Sequence, residues 1–105
     1  MGVTVRYNSV LKNLISMNFG DTCAFIKFGT DWCIPCQDLD KILTSIPNSI
    51  LYHVNLDNDE FDNVMEEYNF TTMPYTIIKY KSDSRHFRGV ITEEQINKLI
   101  NDMKP

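Results

Sequence analysis

Two kinds of hydrophobic run alternate along this chain, and their order predicts its architecture. Val3 to Tyr7 alternates β-branched and polar residues, the period of a short strand. Ser9 to Asn18 places Val10, Leu14 and Met17 at helical spacing, with Leu11 and Ile15 beside them. After a break at Gly20-Asp21, Cys23 to Phe28 is nearly continuous apolar, as in a strand covered on both faces of a sheet. Leu39, Ile42, Leu43 and Ile46 return to helical spacing, and Pro47-Asn48 ends that helix. Ile50 to Leu56 reads as a strand. Phe61 to Tyr68 reads as a short helix with Phe61, Val64, Met65 and Tyr68 on one face. Tyr75 to Tyr80 and Arg85 to Val90 form a hairpin around Lys81-Ser82-Asp83-Ser84. Thr92 and Gln95 make a capping box for a last helix with Ile96, Leu99, Ile100 and Met103 inward.

The order is therefore βαβαβαββα, an α/β fold. Strands joined through helices run parallel with right-handed crossovers, so the first three are parallel and the hairpin makes the sheet mixed. Helices must cover both faces. At 105 residues, one domain spanning 1–105 is expected. The net charge of −4, from 10 basic and 14 acidic side chains, supplies no basic stripe, so nucleic acid is excluded as a partner. No stretch reaches the roughly 18–20 apolar residues of a membrane helix, so no membrane partner is expected. Met1 to Gly20 is interrupted by Arg6, Asn8, Lys12 and Asn13 and reads as no secretory signal. A cytoplasmic monomer is the expectation.

The three cysteines are Cys23, Cys33 and Cys36, one close pair and one left over, which suits a reactive pair in a reducing compartment. The pair lies in Trp32-Cys33-Ile34-Pro35-Cys36, between a buried strand and a helix start. There the first sulfur meets unpaired backbone N–H groups at the positive end of the helix dipole. That setting favours the thiolate at Cys33, and the thiolate is the nucleophile. Pro35 falls in the first turn, where its missing N–H costs nothing. Cys33 is expected to attack a disulfide, and Cys36 to resolve the mixed disulfide. Zinc would need four ligands, and Cys23, His53 and His86 show no ligand spacing, so no metal is expected. Cys23 at the start of the buried strand reads as a small hydrophobe. Lys79, Lys81, Arg85 and Arg88 read as a basic cluster on the hairpin, the kind of charge a polar edge strand carries.

Phe28, Trp32-Cys33-Ile34-Pro35-Cys36, Met73-Pro74-Tyr75 and Gly89 resemble the thioredoxin family in order and spacing, over essentially the whole chain. The resemblance implies a central five-stranded sheet flanked by four helices. It implies a cis Met73-Pro74 bond beside the sulfurs, with Met73 pairing with a bound substrate strand. It places Trp32, Ile34, Met73 and Tyr75 on an apolar docking surface for protein disulfide substrates, with Pro35 and Pro74 as active-site support. It implies no bound cofactor, only a redox-active Cys33–Cys36 disulfide recharged by a thioredoxin reductase or a similar dithiol donor. A more oxidising pair would make the chain an oxidase or isomerase instead. A docking module without turnover is a third reading, though both cysteines are kept.

The chain departs from the resemblance in four places. Lys27 stands where such proteins usually carry an acid beneath the second cysteine, and His53 stands where they carry that acid's lysine partner. Lys41 replaces a helix proline, which predicts a straighter helix. Gly29 replaces a tryptophan, which predicts looser packing under the active-site loop. Lys27 is expected either to favour the Cys36 thiolate, or to reach solvent or pair with Asp57.

Overall fold

The apolar run around Phe25 forms the middle strand of a five-stranded mixed sheet in the computed structural model, which describes residues 2–105. Met1, the first residue of the expected domain, lies outside them. The elements follow as β1 (Val3–Val5), α1 (Asn8–Ser16), β2 (Cys23–Gly29), α2 (Ile34–Leu43) and β3 (Ser49–Asn55). A 3₁₀ turn (Asp59–Phe61) leads to α3 (Val64–Glu67), then β4 (Tyr75–Tyr80), β5 (Asp83–Arg88) and α4 (Glu93–Met103). The strand order is β1-β3-β2-β4-β5. β1 and β2 run parallel to β3, whereas β4 is antiparallel to both β2 and β5.

Successive side chains of a strand face opposite sides of its sheet, and β2 uses both. Cys23 and Phe25 join Leu39 and Leu43 of α2 and Ile96 and Ile100 of α4 in one core. Ile26 and Phe28 join Leu11 and Leu14 of α1 and Val64 of α3 in the other. Burying each such large side chain contributes about 1.5–3 kcal/mol, so these two layers hold β2 rigidly beneath the loop that follows it. The capping box on α4 forms as expected. Thr92 Oγ1 accepts from Gln95 N–H at 3.1 Å, and Gln95 Oε1 accepts from Thr92 N–H at 2.9 Å.

Four local expectations change. On α1 the inward face is Leu11 and Leu14, while Val10 and Met17 stay exposed. α2 stops at Leu43, because Thr44 and Ser45 turn their hydroxyls back onto the carbonyls of Asp40 and Ile42. The helix expected over 61–68 is broken at Asp62-Asn63, two weak helix formers, and Asn58 caps an earlier 3₁₀ turn through Glu60 N–H. The hairpin is tighter than expected. Its turn is Lys81-Ser82 alone, with Tyr80 opposite Asp83 and Lys81 at φ 54°.

Candidate active site

The C-terminal end of β2 feeds the loop Thr30 to Trp32 and then α2, so the sheet delivers Cys33 to a helix N-terminus. Cys33 is the N-cap of α2, with extended backbone at φ −81° and ψ 112°. Ile34 and Pro35 occupy the first turn. Cys33 and Cys36 are joined as a disulfide across a Cα–Cα separation of 5.2 Å. Cys33 Sγ also accepts the Cys36 backbone N–H at 3.3 Å. A sulfur in this position meets a peptide donor and the positive end of the helix dipole, which together stabilise negative charge on it.

Exposure around the pair is uneven. Cys36 is sealed, and Cys33 is only 6% exposed. Its flanking residues Trp32 and Ile34 are 65% and 63% exposed. The tryptophan is held in place, since its Nε1–H donates to Asp57 Oδ2 at 2.8 Å. The Met73-Pro74 bond is cis. Gly89 N–H donates to the Pro74 carbonyl at 2.8 Å, with Gly89 at φ 75°, a conformation that glycine adopts without cost.

Tyr75 is corrected by the structure. Expected on the docking surface with Trp32, Ile34 and Met73, it is buried. Its ring stacks on Phe70 at 4.3 Å and lies 5.7 Å from Phe28, with the Arg88 guanidinium 5.6 Å from its centroid. Burial is also the main reason its hydroxyl titrates above its ordinary value. Lys79 is likewise buried and leaves the basic cluster expected on the hairpin.

Beneath the pair the charges differ from the second expectation for Lys27. Lys27 is 5% exposed and ion-pairs with Asp40 of α2, so it neither reaches solvent nor pairs with Asp57, which is taken by Trp32. His53 Nδ1 lies 3.8 Å from the same Asp40 carboxylate. Burial, reinforced by the Lys27 ammonium, holds the His53 imidazole below its usual titration range. These three residues line a cavity of about 370 Å³, together with Gly29, Thr30 and Asp31. Gly29 lines that cavity and also packs against Cys36: a Cβ there would stand 2.6 Å from Cys36 Sγ. Asp40 and Asp57 were not singled out as site residues from the sequence. Asp40 had a signal, since it lies one helical turn from Cys36, at i, i+4.

Away from this end, Cys23 is the free cysteine among the described residues and is buried. Burial pushes its thiol up to about 12. No cluster of three metal-binding side chains occurs among the described residues, and no described helix is long and apolar enough to cross a membrane.

A mixed sheet sandwiched between two pairs of helices, with a Cys-x-x-Cys disulfide where its middle strand meets a helix, defines an α/β dithiol–disulfide protein. The family model for thioredoxin matches residues 5–102, and the chain belongs to the thioredoxin family. It is 37% identical over 65 residues to a thioredoxin of Echinococcus granulosus, a match that spans 60% of this chain and 60% of that relative's length. Its fold is similar to that of thioredoxin from Trypanosoma brucei brucei, with a TM-score of 0.75 and 21% identity, covering 100% of this chain and 93% of that one. It is also similar to the oxidised mitochondrial thioredoxin 3 of Saccharomyces cerevisiae, with a TM-score of 0.69 and 20% identity, covering 96% and 94%.

Proposed function

We propose that this chain is a thiol–disulfide oxidoreductase that reduces protein disulfides, with Cys33 as the nucleophile and Cys36 as the resolving thiol. The observation that carries this reading is the Cys33 sulfur at the start of α2, accepting the Cys36 N–H while bonded to Cys36 itself. In the reduced protein the Cys33 thiolate attacks one sulfur of a substrate disulfide, and the other substrate sulfur leaves as a thiolate. Cys36 loses its proton and attacks Cys33 Sγ. The Cys33–Cys36 bond forms, the mixed disulfide breaks, and the second substrate sulfur leaves. The substrate gains two electrons and the dithiol loses two. An external dithiol donor, a thioredoxin reductase in this reading, restores the pair, and no bound cofactor takes part.

Trp32 and Ile34 supply exposed apolar surface beside the sulfurs, which suits a polypeptide substrate better than a small polar one. Met73 completes that surface, and the backbone before Pro74 receives the substrate strand. A monomer in the cytoplasm is the accompanying proposal, since one active pair with a single buried free thiol suits a reducing compartment. Insulin reduction by dithiothreitol tests the reading. The chain should accelerate it, the Cys33→Ser variant should not, and Cys36→Ser should hold substrates as mixed disulfides through Cys33. An unchanged rate with Cys33→Ser would overturn it.

A further inference from the structure

α2 runs back along β2 so that two residues of the strand match about one turn of the helix. Gly29 and Lys27 are two residues apart on β2, roughly 6.6 Å along the strand and on the same face. Cys36 and Asp40 are four residues apart on α2, roughly 6 Å along its axis and on the same side. Cys36 Sγ sits over Gly29, and the Asp40 carboxylate sits over the Lys27 ammonium. The Gly29 Cβ position is 2.6 Å from Cys36 Sγ and 3.8 Å from Lys27 Cε, so the lysine side chain rises beside the sulfur. Lys27 is the buried cation of this corner, and Asp40 is the group that neutralises it.

We infer that Asp40 is a positioning residue that sets the ionisation of Cys36 by holding and neutralising Lys27. This inference rests on the oxidoreductase reading, because the Cys36 thiolate is the species that resolves the mixed disulfide. An ammonium near a thiol favours its thiolate, and a carboxylate paired with that ammonium cancels much of the effect. Removing the carboxylate therefore exposes Cys36 to an unbalanced positive charge. Removing the ammonium leaves an unbalanced negative one. The two changes act in opposite directions, which a packing role for the pair would not produce. The charged or titratable groups facing this corner are Lys27 from β2, Asp40 from α2, His53 from β3, Asp31 from the loop before Trp32 and, in the reduced protein, the Cys33 thiol at the start of α2.

The test is a pH titration of the reduced protein, labelled at cysteine ¹³Cβ and followed by NMR, so that Cys36 is read apart from Cys23 and Cys33. Asp40→Asn is expected to raise the Cys36 ionisation constant about tenfold, one unit lower in midpoint, and Lys27→Met to lower it about as much. Midpoints that stay put, or that move the same way in both variants, overturn the inference. Should Asp40→Asn not fold, Asp40→Ser carries the same expectation, and Lys27→Met alone overturns the inference if its midpoint falls or stays. Insulin reduction by the unmodified chain is measured in parallel. Its absence, with opposite NMR shifts intact, would remove the oxidoreductase reading and leave the electrostatic one. Normal insulin reduction with no opposite shifts would do the reverse.

Discussion

The two ends of β2 hold the same element, sulfur, in opposite circumstances. At the first end Cys23 is packed with Tyr80, Ile100 and Met103 in an apolar layer, and burial pushes its thiol up to about 12. At the other end the chain leaves the sheet, and Cys33 lands on a helix start with a peptide N–H aimed at its sulfur. Under its neighbour lies an ion pair and a polar cavity instead of aliphatic side chains. One strand thus carries a buried thiol in an apolar layer and leads into a pair set at a helix start. The difference comes from what surrounds each sulfur, since helix-terminal donors favour a thiolate and an apolar layer opposes it.

The largest effect that tests this contrast is functional. Cys33→Ser should bring insulin reduction to background, while Cys23→Ala should keep it within about twofold, because the pair is chemically untouched. A comparable loss in both would erase the contrast. Gly29→Ala comes next. Its methyl would press on Cys36 Sγ at 2.6 Å, so the variant should lose about 1–3 kcal/mol in urea unfolding of the oxidised form. No loss would mean that the corner under Cys36 yields easily. The smallest effect is on stability in alkali. Burial pushes the Cys23 thiol from its ordinary value of 9.0 up to about 12, so the folded state keeps a proton that the unfolded state gives up. Its stabilisation is complete below pH 9 and is lost as pH rises towards 12, by at most about 1.4 kcal/mol per pH unit. Cys23→Ala should flatten that part of the pH–stability curve. Tyr75, also raised by burial, leaves a residual slope of the same sign above its ordinary value of 10.0.

Much of the frame was legible because hydrophobic period and chain order carry it. The nearly continuous apolar run of β2 read as a covered strand, and Trp32 to Cys36 marked where it gave way to a helix. What escaped depends on partners distant in sequence or on choices between near-equal faces. On α1, Val10 and Met17 offered a helical stripe as good as Leu11 and Leu14, and only the sheet beneath decides between them. Tyr75 read as surface because its neighbours in sequence belong to the docking loop, yet Phe28 and Phe70 enclose its ring. Lys27 was visible as a lone cation in an apolar strand. Its partner was not, because a carboxylate 13 residues on reaches it only once α2 crosses β2. Asp57 was expected as an alternative partner of Lys27, and holds the Trp32 indole instead.

The most direct measurement is the alkylation rate of each cysteine in the reduced protein, read by mass spectrometry across pH 5 to 10. Cys33 is expected to react first, with an apparent midpoint below that of a free thiol, while Cys23 stays unmodified in the folded chain at neutral pH. A Cys33 that reacts no faster than Cys23, or only with the midpoint of a free thiol, would contradict the claim that the helix start activates it.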